Sequence, residues 1–83
     1  MVYLVTRNEG ALTRFANHPV IRPTSIADSK EFIRTLNNIG VDTETVGDFI
    51  DGSIYLMQIG NKVHQVVVDC FTIPVEEYRD VLS

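Results

Sequence analysis

The stretch Ile39-Gly40-Val41-Asp42-Thr43-Glu44-Thr45-Val46 carries the strongest information in this chain about its fold. Its apolar start and its β-branched residues predict a strand over residues 41–45. Side chains of a strand alternate between faces, so Asp42 and Glu44 are expected side by side on one face. Two neighbouring carboxylates repel each other unless a cation or a proton lies between them. The pair therefore indicates a hard divalent metal such as Mg²⁺ or Mn²⁺, with two exposed strand acids as the plainer alternative.

Length and composition limit the class of protein. With 83 residues, 45% hydrophobic and 22% charged, the chain predicts one ordinary globular domain with a modest core. The net charge of −4 argues against a protein that coats duplex nucleic acid. It is compatible with a nuclease, because cations fill an acidic nuclease site when substrate binds. The single cysteine, Cys70, excludes an internal disulfide and a Cys-rich zinc site.

The sequence also bears on location. No apolar run approaches the length of a membrane span, so we expect no membrane partner. The N-terminus begins Met1-Val2-Tyr3-Leu4, without a basic leader. A reducing, cytoplasmic setting is the expectation that follows.

The first half of the chain predicts a strand and a helix ahead of the acidic strand. Val2–Thr6 is short, apolar and β-prone. Residues 8–17 are ambiguous, with a weak helical pattern, and residues 20–22 are short and extended between two prolines. Ser25 then opens a helix, with Asp28 completing its capping pattern, and its apolar stripe ends before Gly40.

The second half predicts a hairpin and a final helix. Ser53–Ile59 is apolar on both faces, which indicates a strand covered on both sides. Gly60-Asn61 is the predicted hairpin turn, and Val63–Cys70 is the returning strand. Thr72 is the predicted N-cap of an amphipathic helix that runs to the last residue. The predicted fold class is α/β, with a mixed sheet of mostly antiparallel strands and helices packed on it.

A family resemblance rests on these elements together. The Asp42-Thr43-Glu44-Thr45 motif after a capped helix, followed by the hairpin strand Ile54-Tyr55-Leu56-Met57-Gln58-Ile59-Gly60, resembles the start of a ribonuclease-H-like DEDD 3′→5′ exonuclease domain. That family includes ribonuclease D and the proofreading domain of polymerase I-like (family A) DNA polymerases. Residues 1–6 and 65–70 are similar to the N-termini of phage-type members.

The resemblance implies a two-metal phosphodiesterase. Asp42 and Glu44 would be catalytic and metal-ligating residues for Mg²⁺ or Mn²⁺, with Asp42 bridging the two ions. Thr43, Thr45 and Val46 would lie close to the terminal nucleotide of a single strand. The implied partners are a single-stranded 3′ end of DNA, or RNA, and the implied location is the cytoplasm of a bacterial cell or a phage-infected host.

The family's second and third acidic motifs find no match in this sequence. We therefore expect an N-terminal portion of an exonuclease domain, weak or inactive alone, with the remainder of the exonuclease or polymerase in the same or another chain. The alternative is a non-catalytic interaction module that uses an exposed sheet edge. Under either hypothesis, a homo-oligomer is a possible assembly.

Overall fold

A mixed five-stranded sheet with helices packed against it forms the domain. The computed structural model describes residues 1–46 and 53–82, and only the backbone of residues 43–46 and 53–55. The strands are β1 (Val2–Val5), β2 (Ile21–Pro23), β3 (Gly40–Val46), β4 (Ser53–Gly60) and β5 (Gln65–Asp69). The helices are α1 (Glu9–Phe15), α2 (Ile26–Thr35) and α3 (Arg79–Leu82), the last directly preceded by a 3₁₀ turn over Val75–Tyr78.

The sheet has the order β2-β1-β5-β4-β3. One half of the sheet is parallel, since β1 pairs in parallel with both β2 and β5. Its other half is antiparallel, since β4 pairs with β3 and with β5 in opposite directions. The prediction of an α/β fold with a mixed sheet is confirmed. The prediction of mostly antiparallel strands is wrong, because β1 forms two parallel pairings that no local pattern in the sequence encodes.

One face of the sheet carries the core. Alternate residues of the central strands β4 and β5 point to this face, where the described ones are fully buried. Helix α2 and the C-terminal segment cover these residues. The buried core consists of Val5, Met57, Ile59, Val66, Val68, Ile33, Ile73 and Tyr78. Removing this apolar surface from water supplies the main driving force for folding.

The other face of the sheet is more open. It carries two rows of directly opposed residues, the first being Gly40, Gly60 and Gln65. The second row is Asp42, Gln58 and Val67. Asp42 is exposed and the other side chains of these rows are half-buried. The prediction that β4 is covered on both faces is therefore wrong, since Met57 is buried whereas Leu56 and Gln58 remain half-buried.

The predicted cap of α2 is confirmed. Ser25 is the N-cap, and its hydroxyl accepts a hydrogen bond from the Asp28 backbone N–H at 3.0 Å. This bond satisfies one of the amide groups that a helix leaves free at its start. α2 therefore begins where the sequence predicts, and it delivers the chain to β3.

The predicted C-terminal helix is wrong in its start and its form. Thr72 caps no helix. Its hydroxyl donates to the Asp69 carboxylate at 3.0 Å and accepts from the Arg7 N–H at 2.9 Å. The 3₁₀ turn begins after Pro74, without a side-chain cap, and α3 is one short turn. Bonds to the start of the chain thus hold Thr72 away from the helix.

The structure also resolves the two segments that the sequence left ambiguous. Asn8 caps α1 by accepting from the Ala11 N–H at 3.0 Å, although no residue of α1 is fully buried. β2 is the three-residue edge strand beyond β1. Among the helices in residues 1–46 and 53–82, none has the length and apolar character to cross a bilayer.

Candidate functional site

Strand β3 carries the predicted acidic motif and lies at the edge of the described sheet. It pairs with β4 on one side, placing Asp42 opposite Gln58 and Glu44 opposite Leu56. The pairing register shifts between Glu44 and Thr45. Irregularities of this kind bend a strand and often occur beside functional sites. The predicted strand at 41–45 is thus confirmed and extends one residue further at each end.

The Asp42 carboxylate is available for a ligand. The side chain is exposed, and it makes no hydrogen bond or ion pair with another residue in the described ranges. A carboxylate on a hydrogen-bonded strand, without a partner among the described residues, is an available oxygen ligand, which suits a hard cation such as Mg²⁺ or Mn²⁺. Asp42 alone offers too few oxygens to hold such a cation.

The remaining predicted site residues are placed by their backbone alone. Thr43, Glu44, Thr45 and Val46 belong to β3, and their side chains lie outside the described part of the structure. Asp48 and Asp51, which follow the motif in the sequence, also lie outside the described residues. The roles assigned to these residues stay predictions.

Within residues 1–46 and 53–82, the described side chains near Asp42 do not form a metal-binding site. These residues contain no group of three or more histidine, cysteine or acidic side chains that could hold a metal ion.

Asp69 is the nearest acidic candidate in the sheet, and its role is structural. Its backbone is paired with Leu56, which in turn is paired with Glu44. Two strand spacings, about 10 Å, therefore separate Asp69 from the acidic strand. Its carboxylate accepts from the Thr6 hydroxyl at 2.7 Å, the Thr72 hydroxyl at 3.0 Å and the Phe71 N–H at 3.0 Å. These bonds tie the ends of β1 and β5 together.

A shallow recess opens beside Asp42 on the open face. Its volume is about 230 Å³, and its lining residues are Gly40, Val41, Asp42, Gln58, Ile59, Gly60, Asn61 and Gln65. Gly40 and Gly60 are directly paired, so this part of the sheet surface bears no side chains. The carboxamides of Gln58 and Gln65 make no hydrogen bond to other described residues. The recess thus presents free donors and acceptors around a bare patch of backbone.

The histidine and cysteine side chains offer no better site. His18 Nδ1 accepts from the N–H groups of Val20 and Ile21, at 3.2 and 3.1 Å, and so organises a turn. His64 is half-buried with its ring edge-on to Phe32, at a centroid distance of 5.6 Å. Burial, reinforced by the Asp69 charge, raises the pKa of the Cys70 thiol above its usual value. A raised pKa disfavours the thiolate, the nucleophilic form of cysteine.

The sequence places Gln58 on the hairpin strand but does not indicate its neighbours in the recess. Gln65 and Gly40 are distant from Gln58 in the chain and meet it only through the pairing of three strands. The period-2 alternation of β5 places Gln65 and Val67 on one face, and that signal could have marked Gln65 as outward-facing. The pairing register that places Gln65 beside Gly60 cannot be predicted from the sequence of β4 or of β5 alone.

Comparisons with protein-family models, with curated proteins and with solved structures give no match for this chain. The functional argument therefore depends on its own residues and their geometry.

Proposed function

We propose that this chain is the N-terminal portion of a DEDD-type 3′→5′ exonuclease domain, in which Asp42 and Glu44 supply the first two ligands of a two-metal site. The observation that carries the proposal is the exposed Asp42 carboxylate, which has no partner among the described residues and lies on the edge strand β3 of the described sheet, two residues before a second acid. The substrate is the single-stranded 3′ end of DNA, with RNA as the related alternative.

The position of β3 supports this role. In the described sheet one of its sides is paired with β4 and the other is free. Additional strands and their acidic residues can join the domain along that free side, beside Asp42. The proposed function needs such an addition, because four carboxylates hold the two ions in the family that the motif resembles.

The chemistry of the strand also supports the proposal. Hydrolysis of a phosphodiester builds negative charge on the phosphate, and a divalent metal neutralises that charge when bound. Asp42 lies on a strand held by backbone hydrogen bonds to β4, so little reorganisation is needed to place its oxygens. Asp42 and Glu44 would hold the metals, while Thr43, Thr45 and Val46 would border the terminal nucleotide.

A nuclease assay and a metal-proximity measurement test the proposal together. The assay adds the chain, with Mn²⁺, to a 5′-labelled single-stranded oligonucleotide, and the expected outcome is little or no trimming. The NMR measurement follows paramagnetic broadening by Mn²⁺, which we expect at the amides of Asp42 and Gln58 and not in Asp42→Asn. Mn²⁺ broadening that is unchanged in Asp42→Asn would contradict the proposal. Broadening of amides in another part of the fold would contradict it as well.

A second candidate function rests on the same free edge. A partner strand could add to β3 through backbone hydrogen bonds, as in peptide recognition by strand addition. Val41, which is 51% exposed, lies on this strand and would gain an apolar contact. Unlike the exonuclease, this interaction module needs no metal, so its partner binding would persist in EDTA and in Asp42→Asn.

A further inference from the structure

The recess beside Asp42 has the size of a site for part of a small ligand. Its volume of about 230 Å³ is below the range of about 300–1,000 Å³ that is usual for whole small-molecule pockets. Its base is the paired Gly40 and Gly60, of which Gly40 is exposed and Gly60 is half-buried. A Cβ built on Gly40 meets no atom within 4 Å, so the space above this residue is open. A flat, ring-sized group fits such a surface.

The side chains around the recess determine which ring it would accept. Gln58 and Gln65 each present a carboxamide, which both donates and accepts hydrogen bonds. Asp42 adds a carboxylate that accepts only. The edges of nucleobases carry the matching groups, since glutamine pairs with the donor and acceptor of adenine, and a carboxylate accepts from the amino group of cytosine.

The charge around the recess excludes phosphate as the recognised group. None of the described residues lining it is lysine or arginine, and Asp42 places a negative charge at its rim. The chain as a whole also has a net charge of −4. While no cation is bound at Asp42, an anionic group is repelled from the recess and an uncharged heterocycle is not, so the recess suits the base of a nucleotide and not its phosphate.

We propose that the recess binds a nucleobase of a single-stranded nucleic acid, with Gln58 and Gln65 contacting the base edge above Gly40 and Gly60. This inference rests on the proposed function and extends it by naming the part of the substrate that contacts this face. Single-stranded substrates suit the site, because their unstacked bases expose their hydrogen-bonding edges. Asn61 contributes little, since its side-chain oxygen already accepts from the N–H groups of Val63 and His64.

The test is an NMR titration of the ¹⁵N-labelled chain in EDTA with adenosine, thymidine and ribose 5-phosphate. The nucleosides carry a base without phosphate, and ribose 5-phosphate carries the phosphate without a base. We expect the nucleosides to shift the side-chain amide signals of Gln58 and Gln65 and the backbone signal of Gly40. Ribose 5-phosphate should leave these signals unchanged.

Two variants locate the binding in the recess. Gly40→Leu fills the open space with a side chain, and it should remove the nucleoside-induced shifts. Ala16→Leu adds the same side chain at an exposed position after α1, so it should bind like the wild type. Gln65→Ala removes one carboxamide without filling the recess, and we expect it to weaken nucleoside binding about fivefold, the loss of one neutral hydrogen bond.

Three outcomes would overturn the nucleobase site. These are no shift at Gln58 and Gln65 with saturating nucleoside, equal shifts with ribose 5-phosphate, or unchanged binding in both Gly40→Leu and Gln65→Ala. A Mn²⁺ titration of the same samples separates this inference from the proposed exonuclease. Metal binding that depends on Asp42, without nucleoside binding, would refute the base site alone, whereas the reverse result would refute the metal site alone.

Discussion

Asp42 lies directly opposite Gln58 in the antiparallel pair of β3 and β4, on the face of the sheet that the core helix leaves open. Directly opposed residues project to the same side of a sheet, so the free carboxylate and the free carboxamide are neighbours. This relationship joins the proposed metal ligand to the proposed base site. We therefore expect that metal binding at Asp42 and nucleobase binding at Gln58 share one surface, and that a substitution of either residue affects only its own ligand.

The paired glycines Gly40 and Gly60 should differ in how strongly a substitution by alanine destabilises the fold. Gly60 has a φ of +159°, and an added Cβ would lie 2.2 Å from the His64 carbonyl oxygen and 2.8 Å from Gln65 Cα. Gly60→Ala should therefore destabilise the fold by about 1–3 kcal/mol. Gly40→Ala is the matched control, and it should change stability by less than about 0.5 kcal/mol. Chemical denaturation measures both, and equal losses would contradict the described turn.

In the buried hydrogen bond between Ser29 and Tyr78, removal of the two hydroxyls should cost different amounts of stability. Their oxygens are 2.6 Å apart, and the Ser29 hydroxyl also donates to the Ile26 carbonyl at 2.7 Å, so Tyr78 is the donor within the pair. Ser29→Ala leaves a buried donor unpaired and should cost about 1–3 kcal/mol, whereas Tyr78→Phe should cost about 0.5–1.5 kcal/mol. The double variant should lose less than the sum of the two. Additive losses in denaturation would contradict this hydrogen bond.

The ion pairs between α2 and α3 predict a pH dependence. A hydrogen bond from Lys30, with the nearby charge of Arg34, holds the pKa of Asp80 below its usual range. A lowered folded-state pKa means that the stabilisation is present above the unfolded pKa of about 3.9 and is lost as the pH falls through the folded-state value. The stability difference between wild type and Asp80→Asn should thus shrink on acidification below pH 4 and in high salt. A stability difference between wild type and Asp80→Asn that grows on acidification would contradict the role of these ion pairs.

Substitution of Asp69 should change the stability of the fold without changing metal binding, and substitution of Asp42 should do the reverse. Asp69→Asn disturbs a carboxylate that accepts three hydrogen bonds, so we expect a loss of about 1.5–3 kcal/mol and no change in Mn²⁺ binding. Asp42→Asn alters an exposed group without a described partner, and should change stability by less than about 0.5 kcal/mol. Thermal denaturation and Mn²⁺ titration of both variants check this, and loss of metal binding in Asp69→Asn would contradict the structural role of that residue.

Local signals predicted the elements whose partners lie nearby in the chain. The Ser25 cap correctly predicts the start of α2, and the apolar run Val63–Cys70 predicts a strand that the structure places at Gln65–Asp69. The parallel pairing of β1 with β5 could not be predicted, because its two segments lie at opposite ends of the chain. The same distance explains the error at Thr72, whose hydroxyl bonds to Arg7 instead of capping a helix.

The candidate site was predictable to a similar extent. The strand pattern alone locates Asp42 and its two-residue spacing from Glu44. The recess depends on how Gly40, Gly60 and Gln65 align across three strands, which only the folded sheet defines.

A calorimetric Mn²⁺ titration tests the central claim most directly, using wild type, Asp42→Asn and the control Asp28→Asn. Asp28 is an exposed aspartate on α2, which packs on the opposite face of the sheet, so the control loses the same charge away from β3. We expect weak Mn²⁺ binding in wild type and in Asp28→Asn, and its loss in Asp42→Asn. Identical titrations for wild type and Asp42→Asn would contradict it.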